Sequence, residues 1–389
     1  MDDFLIGAKD GEIANIIRDT IASKMTNPVH DLGIIKRFNG MDIQQTRHFI
    51  EIDCHTFIEQ IATHHGWTNE VASNLPIPMR TESKYLAELE LTEGPEDIKE
   101  QQQLEKEAGF SYRQVIGESV FAMSLCRVDI APATIKLSQY SHNPARCHYQ
   151  AAKHLIIYLW HTKDEGIYYW RQTPNMSLPD VPLPTTIRTE EELTSFKPIN
   201  DPTRLQGGSD STWASDRRHR KSVGGVNFFF AGGTVYYRCR IYPTIAQSST
   251  EAEFQSMTDA GKTAIYLRSI LEEVSLEQLE PTEIEVDNRG ARQLANAQQP
   301  TRRTRHIDMK DFVILQWTEE ERIKFVDVKS EYNPADAVSK PTGRTKFYTF
   351  KDVLMGRRRP DYVRGLKMVI NKLQQYTGIQ MMIYEDDID

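Results

Sequence analysis

Four acidic residues stand out by their positions in the predicted strands and helices. Asp210 lies in one predicted strand and Asp287 ends another, while Glu253 and Asp336 fall in the first turns of two predicted helices. Carboxylates that share one place repel each other and raise each other's pKa unless a cation neutralises them. Oxygen ligands without His or Cys select Mg²⁺ or Mn²⁺ rather than zinc. Two such ions about 4 Å apart activate a water molecule and stabilise the leaving oxygen of a phosphodiester.

The elements around these acids predict an α/β domain with a mixed sheet, because three strands are followed by helices that alternate with strands. The predicted strands are 206–214, 222–231, 234–241, 283–287 and 323–329, and the predicted helices are 251–273, 289–298, 308–319 and one beginning at Asn333-Pro334. The helix over 251–273 crosses over between two strands, so these strands can be parallel neighbours. Ligands bind at the carboxyl ends of such strands, which predicts that Asp210 and Asp287 lie close together.

The positions of the acids alone leave two interpretations open. A single aspartate at a strand end is commonly a turn or surface residue. Four acids at places where the topology converges instead indicate a shared metal site.

Composition is typical of a globular protein with two or three domains. The chain has 389 residues, of which 39% are hydrophobic and 26% charged, and one domain commonly holds roughly 100–200 residues. No segment approaches the roughly 20 apolar residues of a membrane span, and the acidic N-terminus differs from a secretory signal. We therefore expect no membrane association and a cytoplasmic or nuclear location. The four cysteines form no CxxC pair, so the sequence predicts neither a zinc ribbon nor a disulfide framework. They are Cys54, Cys126, Cys147 and Cys239.

The net charge of −8 argues only weakly against nucleic-acid binding, because the charges are clustered. Basic residues gather at 217–221, 302–305 and 357–359, and acidic residues gather at 85–108 and 385–389. Each run is commonly a solvated face, and contact with phosphate is the alternative for the basic ones.

The first half of the chain predicts a different organisation. We expect a strand over 1–8, a helix over 12–25, two short strands within 38–52 and a helix over 56–66. Residues 80–109 are highly charged and predict a surface linker. Helices are expected over 112–140 and 145–162, and six prolines predict a second linker over 173–203.

Several separated motifs, in order along the chain, resemble one family. They are YRQVIG at 112–117, GSDSTWA at 208–214, KSVGG at 221–225, QSSTEAEF at 247–254, VDN at 286–288, TRHID at 304–308 and NPADAVSK at 333–340. Together they resemble the C-terminal part of a copia-type retrotransposon polyprotein, where the end of reverse transcriptase is followed by an RNase H domain. Each motif is modest alone, but their order makes the joint signal specific.

The resemblance implies an RNase H-like mixed five-stranded sheet with flanking helices, preceded by a truncated polymerase palm remnant and a helical thumb-like region. The implied division is a palm remnant at 1–70, a charged linker at 71–111, a thumb or connection region at 112–172, a Pro-rich linker at 173–205, the RNase H domain at 206–345 and a tail at 346–389.

The implied activity is metal-dependent hydrolysis of the RNA strand of RNA–DNA hybrids, on two Mg²⁺ ions with Mn²⁺ as the alternative. The family's catalytic and metal-binding acids fall on Asp210, Glu253, Asp287 and Asp336, with Glu253 preferred over Glu251 because an aromatic residue follows it. We expect the phosphate backbone to be bound by a basic cluster that provides salt-dependent, sequence-independent affinity. This cluster comprises Arg217, Arg218, Arg220 and Lys221. The implied partners are the hybrid and other products of the retroelement polyprotein.

The N-terminus resembles the end of a polymerase motif, with Asp2-Asp3 followed by Phe4. Because the resemblance places a further metal-binding aspartate and the nucleotide-binding fingers in earlier sequence, we expect no independent DNA synthesis by this chain.

Two rival interpretations remain beside the hybrid endonuclease. One is an inactive retroelement relic that binds nucleic acid weakly or not at all. The other is a DNA-directed exonuclease, because a fold does not fix the substrate.

Overall fold

The chain folds into two β-sheets with helices around them. The computed structural model describes residues 5–8, 11–70, 76–181, 203–216, 218–295 and 313–358. The strands are β1 (Arg37–Phe38), β2 (Met41–Gln45), β3 (Phe49–Asp53), β4 (Ile167–Trp170), β5 (Gln206–Thr212), β6 (Val223–Phe230), β7 (Gly233–Ile241), β8 (Thr282–Val286) and β9 (Ile323–Asp327). The helices are α1 (Gly11–Ala22), α2 (His55–His64), α3 (Ser83–Leu91), α4 (Ile98–Ala108), α5 (Tyr112–Leu125), α6 (Ala131–Ser138), α7 (Arg146–His161), α8 (Ser249–Glu273), α9 (Arg289–Ala295), α10 (Val313–Glu319), α11 (Asp336–Ser339) and α12 (Arg344–Leu354).

The second half of the chain forms a five-stranded sheet of order β7-β6-β5-β8-β9. β5, β6 and β7 are antiparallel neighbours, whereas β8 runs parallel to β5, and β9 runs parallel to β8. The long helix α8 provides the crossover from β7 to β8. The predicted mixed sheet and the predicted parallel pairing of the first and fourth strands are therefore confirmed.

Both faces of this sheet are covered. On one face, α8, α9 and α10 enclose a core that includes Phe254, Met257 and Ile284. On the other face, Phe229 and Cys239 join a second core that extends through the helices of the first half. At the edge strand β7 the cover is only partial, since Cys239 is buried whereas Val235 and Arg238 are exposed.

The first half contains an antiparallel sheet of order β1-β2-β3-β4. β4 lies beyond α7 and was not predicted, although its four residues IYYW have high β-propensity. The backbone amide of Trp170 donates to the Ala231 carbonyl at 2.8 Å, and that of Tyr168 donates to the Met355 carbonyl at 2.9 Å. β4 thus connects this sheet to the β6–β7 turn and to the end of α12.

The charged linker expected over 71–111 is wrong for its described part, which contains α3 and α4. Asp97 caps α4 by accepting from the Lys99 amide at 2.8 Å, and Gly109 ends it with a left-handed φ of +79°. Leu89 is fully buried, and Leu104 packs against the same core. A few apolar contacts and two good caps therefore outweigh a composition that resembles a linker.

Two further expectations need correction. The helix expected over 112–140 is broken after α5 by a 3₁₀ turn, Val128–Ile130, where the buried Arg127 forms hydrogen bonds. Residues 5–8 form no strand. The tail expected over 346–389 is helical through Leu354, where α12 buries Phe347, Phe350 and Val353 in the core of the first half.

Several expectations lie outside the described residues. They concern Asp2, Asp3, Arg217, the motif at 304–308, most of the Pro-rich segment and residues 359–389. Within the described part, no helix has the length and apolar character needed to cross a bilayer. All four cysteines are buried and free.

Candidate metal centre

Three of the four predicted acids meet at one edge of the five-stranded sheet. Asp210, Glu253 and Asp287 each place one carboxylate oxygen within 4.8 Å of the others. The parallel register between β5 and β8 pairs Gly207 with Ile284 and Gly208 with Glu285. Continuing this register by two residues sets Asp210 beside Asp287, as the topology predicted. Asp210 and Glu253 are buried and Asp287 is half-buried, so the cluster opens to solvent on the Asp287 side.

Helix α8 brings Glu253 to this cluster. Its N-cap, Ser248, accepts a hydrogen bond from the Glu251 amide at 3.1 Å, and the Glu251 carboxylate accepts from the Gln247 amide at 2.7 Å. The Ser256 hydroxyl then donates to the backbone carbonyl of Asp210 at 2.9 Å, which connects the helix to β5. Glu251 therefore stabilises the start of the helix, and Glu253 faces the two aspartates.

Electrostatics make this cluster unfavourable in the absence of a cation. Burial, followed by the charges of Asp210 and Asp287, raises the pKa of Glu253 to about 9 against the opposing effect of Ser211. Burial also raises the pKa of Asp210 to about 7, with Lys340 opposing and Asp336 adding to the shift. The Glu253 Oε2 atom is buried and lacks a hydrogen-bond partner among the described residues. Such a group is costly unless a ligand satisfies it.

The fourth acid, Asp336, stands apart from the other three. It begins α11 and is fully buried, with the Lys340 ammonium paired to Oδ1 and the Lys346 ammonium 2.5 Å from Oδ2. Lys340 also lies 3.9 Å from Asp210 Oδ2. Burial lowers the pKa of Lys340, but Asp210 and Asp336 outweigh this effect and the pKa is raised. The sequence predicts four acids in one shared site. The structure brings three of them together and pairs the fourth, Asp336, with two lysines.

Close packing of backbone against backbone fixes α11 over the cluster. Gly225 lies opposite Asp210 in the β5–β6 pair, and a Cβ atom added there would be 2.5 Å from the Ser339 amide nitrogen. The absent side chain lets α11 approach the sheet, so that the Ser339 hydroxyl donates to Asp210 Oδ2. Asn333 supports this arrangement by donating from its side chain to the Ser209 carbonyl at 2.9 Å.

The predicted basic cluster is divided by the structure. Arg218 donates to the carbonyls of Glu90 and Thr92, the latter at 2.8 Å, and so connects the loop after β5 to the end of α3. Arg220 is exposed and Lys221 is half-buried. Arg220 thus fits the expected contact with phosphate better than Arg218, whose guanidinium already has partners.

Sequence reasoning missed the roles of Ser339, Lys340 and Lys346. Lys340 is the last residue of the NPADAVSK motif, but the motif alone predicts no role for it in the site. The signal was available, because residues four apart on a helix are neighbours and Asp336 and Lys340 have that spacing. Lys346 offered no such signal, since it reaches Asp336 from the following helix, α12.

This chain is similar in sequence to Pol polyproteins of plant transposons. A retrovirus-related Pol polyprotein from transposon TNT 1-94 of Nicotiana tabacum is 26% identical over 358 residues, 91% of this chain and 24% of the polyprotein. A retrovirus-related Pol polyprotein from transposon RE1 of Arabidopsis thaliana is 26% identical over 249 residues, 64% of this chain and 15% of the polyprotein. The resemblance to copia-type retrotransposon Pol polyproteins is confirmed. The match spans about a quarter or less of the length of these Pol polyproteins.

Two other similarities cover shorter segments. Secreted RxLR effector protein 161 of Plasmopara viticola is 29% identical over 156 residues, 40% of this chain and 90% of that protein. The solved structure of LC11-RNase H1, isolated from compost by a metagenomic approach, aligns with 35% of this chain and 92% of its own, at 14% identity and a TM-score of 0.28. No protein-family model matches the chain.

Proposed function

We propose that the domain over 206–345 is an RNase H-type endonuclease that hydrolyses the RNA strand of RNA–DNA hybrids. The observation that carries the proposal is the convergence of Asp210, Glu253 and Asp287, which come from separate elements of the mixed sheet and its crossover helix. The similarity to retrotransposon Pol polyproteins supports the same assignment.

The residues present fit a divalent metal ion of the Mg²⁺ or Mn²⁺ type. The donor set is entirely carboxylate, which such ions prefer over His or Cys ligands. The unpartnered Oε2 of Glu253 and the raised pKa values of Glu253 and Asp210 both mark a place where positive charge is missing. We assign Asp210, Glu253 and Asp287 as ligands, with Asp336 as a fourth acid at the edge of the centre.

A bound divalent ion supplies the positive charge that acidifies a water molecule and stabilises negative charge on a phosphodiester. The residues of the chain provide the rest of the chemistry by holding groups in place. Ser339 fixes one oxygen of Asp210, and Ser256 holds the backbone of Asp210 against α8. The half-buried Asp287 leaves the open side on which a phosphate can approach. Arg220 and Lys221 provide backbone contacts, and discrimination of the RNA strand rests on its 2′-hydroxyl groups.

We also propose that residues 1–70 and 112–172 correspond to a polymerase palm remnant and a thumb or connection region. The Nicotiana tabacum polyprotein matches 91% of the chain, which supports a Pol origin for both halves. Pairing of β3 with β4 unites these two regions in one sheet. Other products of the retroelement polyprotein are the corresponding partners.

The test is cleavage of a labelled RNA–DNA hybrid by the purified chain with Mg²⁺. Asp210→Asn and Glu253→Gln should each abolish cleavage, because each removes a charged ligand. Glu251→Gln is the matched control on the same helix, since its carboxylate accepts from the Gln247 amide, and it should retain cleavage. Equal loss in both glutamate variants would contradict the assignment of Glu253.

The same experiment separates the rival functions. Digestion of single-stranded or duplex DNA with no action on the hybrid would favour a DNA-directed exonuclease. A folded protein that neither cleaves nor binds the hybrid would favour an inactive relic. The three converging carboxylates favour activity over the relic.

A further inference from the structure

Two lysines hold the fourth acid of the centre. Lys340 and Lys346 pair with different oxygens of Asp336, whose side chain has no solvent exposure. The lysine side chains are 39% and 38% exposed. Asp336 is therefore neutralised by two flexible cations that reach it from solvent. We call Lys340 and Lys346 the lysine pair.

The lysine pair changes the charge available to a metal ion. Four carboxylates and two ammonium groups leave a formal charge of minus two in and around the centre. One divalent cation balances that charge. Without the lysine pair the same four carboxylates would balance two divalent cations.

The geometry also opposes a second ion. The Lys340 ammonium lies between Asp336, with which it is paired, and Asp210, whose Oδ2 is 3.9 Å away. An ion shared by Asp210 and Asp336 would have to occupy this same space. Like charges at such a separation repel strongly in a partly buried site. Among the described residues, this is the one ion pair that a lysine makes with Asp210, Glu253 or Asp287.

We propose that the substrate-free centre binds one divalent ion, on Asp210, Glu253 and Asp287, and that the lysine pair stands in for a second. This inference rests on the metal centre of the proposed function. Lys340 and Lys346 are then positioning residues, because they act through Asp336 and do not bind the ion. In this proposal, one ion and two ammonium groups take the place of the two ions that the resemblance implies.

The test counts bound Mn²⁺ in the full-length protein without substrate, using the electron paramagnetic resonance signal of free Mn²⁺ and isothermal titration calorimetry. The wild type should bind one ion per chain in the strong phase of the titration. Lys340→Met/Lys346→Met should bind two, because Asp336 becomes a free carboxylate. Lys324→Met is the control, since Lys324 is exposed near the start of β9, away from the strand ends that carry the acids. This control should bind one ion.

The outcomes are distinguishable from failure of the proposed function. Two strong ions in the wild type, or one ion in a folded double variant, overturn the role of the lysine pair while leaving the metal centre intact. No bound ion in the wild type overturns the metal centre itself, and the inference with it. Circular dichroism checks that each variant is folded.

A single variant covers the case in which the double variant does not fold. In Lys340→Met, Lys346 still neutralises one oxygen of Asp336. The second Mn²⁺ should then bind more tightly than in the wild type, since the ammonium nearest to Asp210 is gone. An unchanged second dissociation constant overturns the proposal.

Discussion

Replacing Gly225 by alanine tests whether close approach of α11 to the sheet positions the acids. The added Cβ would lie 2.5 Å from the Ser339 nitrogen and 2.9 Å from both the Ala335 oxygen and the Ser339 Cα. All three are backbone atoms, so the helix has to move. Overpacking of this kind costs about 1–3 kcal/mol of unfolding free energy. The shift also pulls the Ser339 hydroxyl away from Asp210.

The assay combines urea unfolding with hybrid cleavage. We expect Gly225→Ala to lower the free energy of unfolding by about 2 kcal/mol, within the range for overpacked sites. Because misplacement of catalytic groups by about 1 Å costs on the order of 10²-fold in rate, we expect cleavage to fall by a similar factor.

Gly117→Ala in α5 is the control. Its added Cβ would meet no atom within 4 Å. We expect a change in unfolding free energy of no more than about 1 kcal/mol, the usual size for glycine and alanine at a helix interior. Wild-type stability and cleavage in Gly225→Ala would refute the positioning of α11 by backbone contact.

Three further predictions concern stability, pH and binding. Arg127→Met removes a fully buried bidentate partner of Asp129. The free energy of unfolding in urea should therefore fall by about 3–5 kcal/mol, the usual cost of an uncompensated buried charge. A decrease below about 1 kcal/mol would contradict the role of this ion pair. Burial raises the pKa of Glu253 from 4.5 to about 9, so the metal-free folded state binds this proton more tightly than the unfolded state and loses stability as pH rises between these values. Thermal melting in EDTA should therefore show Glu253→Gln gaining stability over the wild type across that interval, and a constant difference would argue against the shift. Arg220→Ala should weaken binding of an RNA–DNA hybrid and reduce the salt dependence of that binding. Arg218→Ala should mainly lower the melting temperature, because Arg218 connects the loop after β5 to the end of α3. The reverse pattern would show that Arg218 is the phosphate contact.

Much of the metal centre was predictable from the order of the elements. A helix between two strands of one sheet makes them parallel, and parallel strands present their carboxyl ends at one edge. This local and topological logic placed Asp210 beside Asp287, and the cap at Ser248 set the start of the helix that carries Glu253. Such features depend on hydrogen bonds between residues that are close in sequence or belong to a common crossover unit.

Other features depended on how distant surfaces fit together. The helices α3 and α4 read as a linker because their charges dominate the composition, and only packing of Leu89 and Leu104 in the core shows otherwise.

What the sequence alone determined is the set of acids, their strands and helices, and the resemblance to a retrotransposon polyprotein. What only the tertiary structure decided is that Asp336 is paired with Lys340 and Lys346 instead of joining the other three acids. The physical reason is that sequence spacing reports neighbours within one turn of helix. Contact between α11 and the sheet depends on the space above Gly225, which no local pattern encodes.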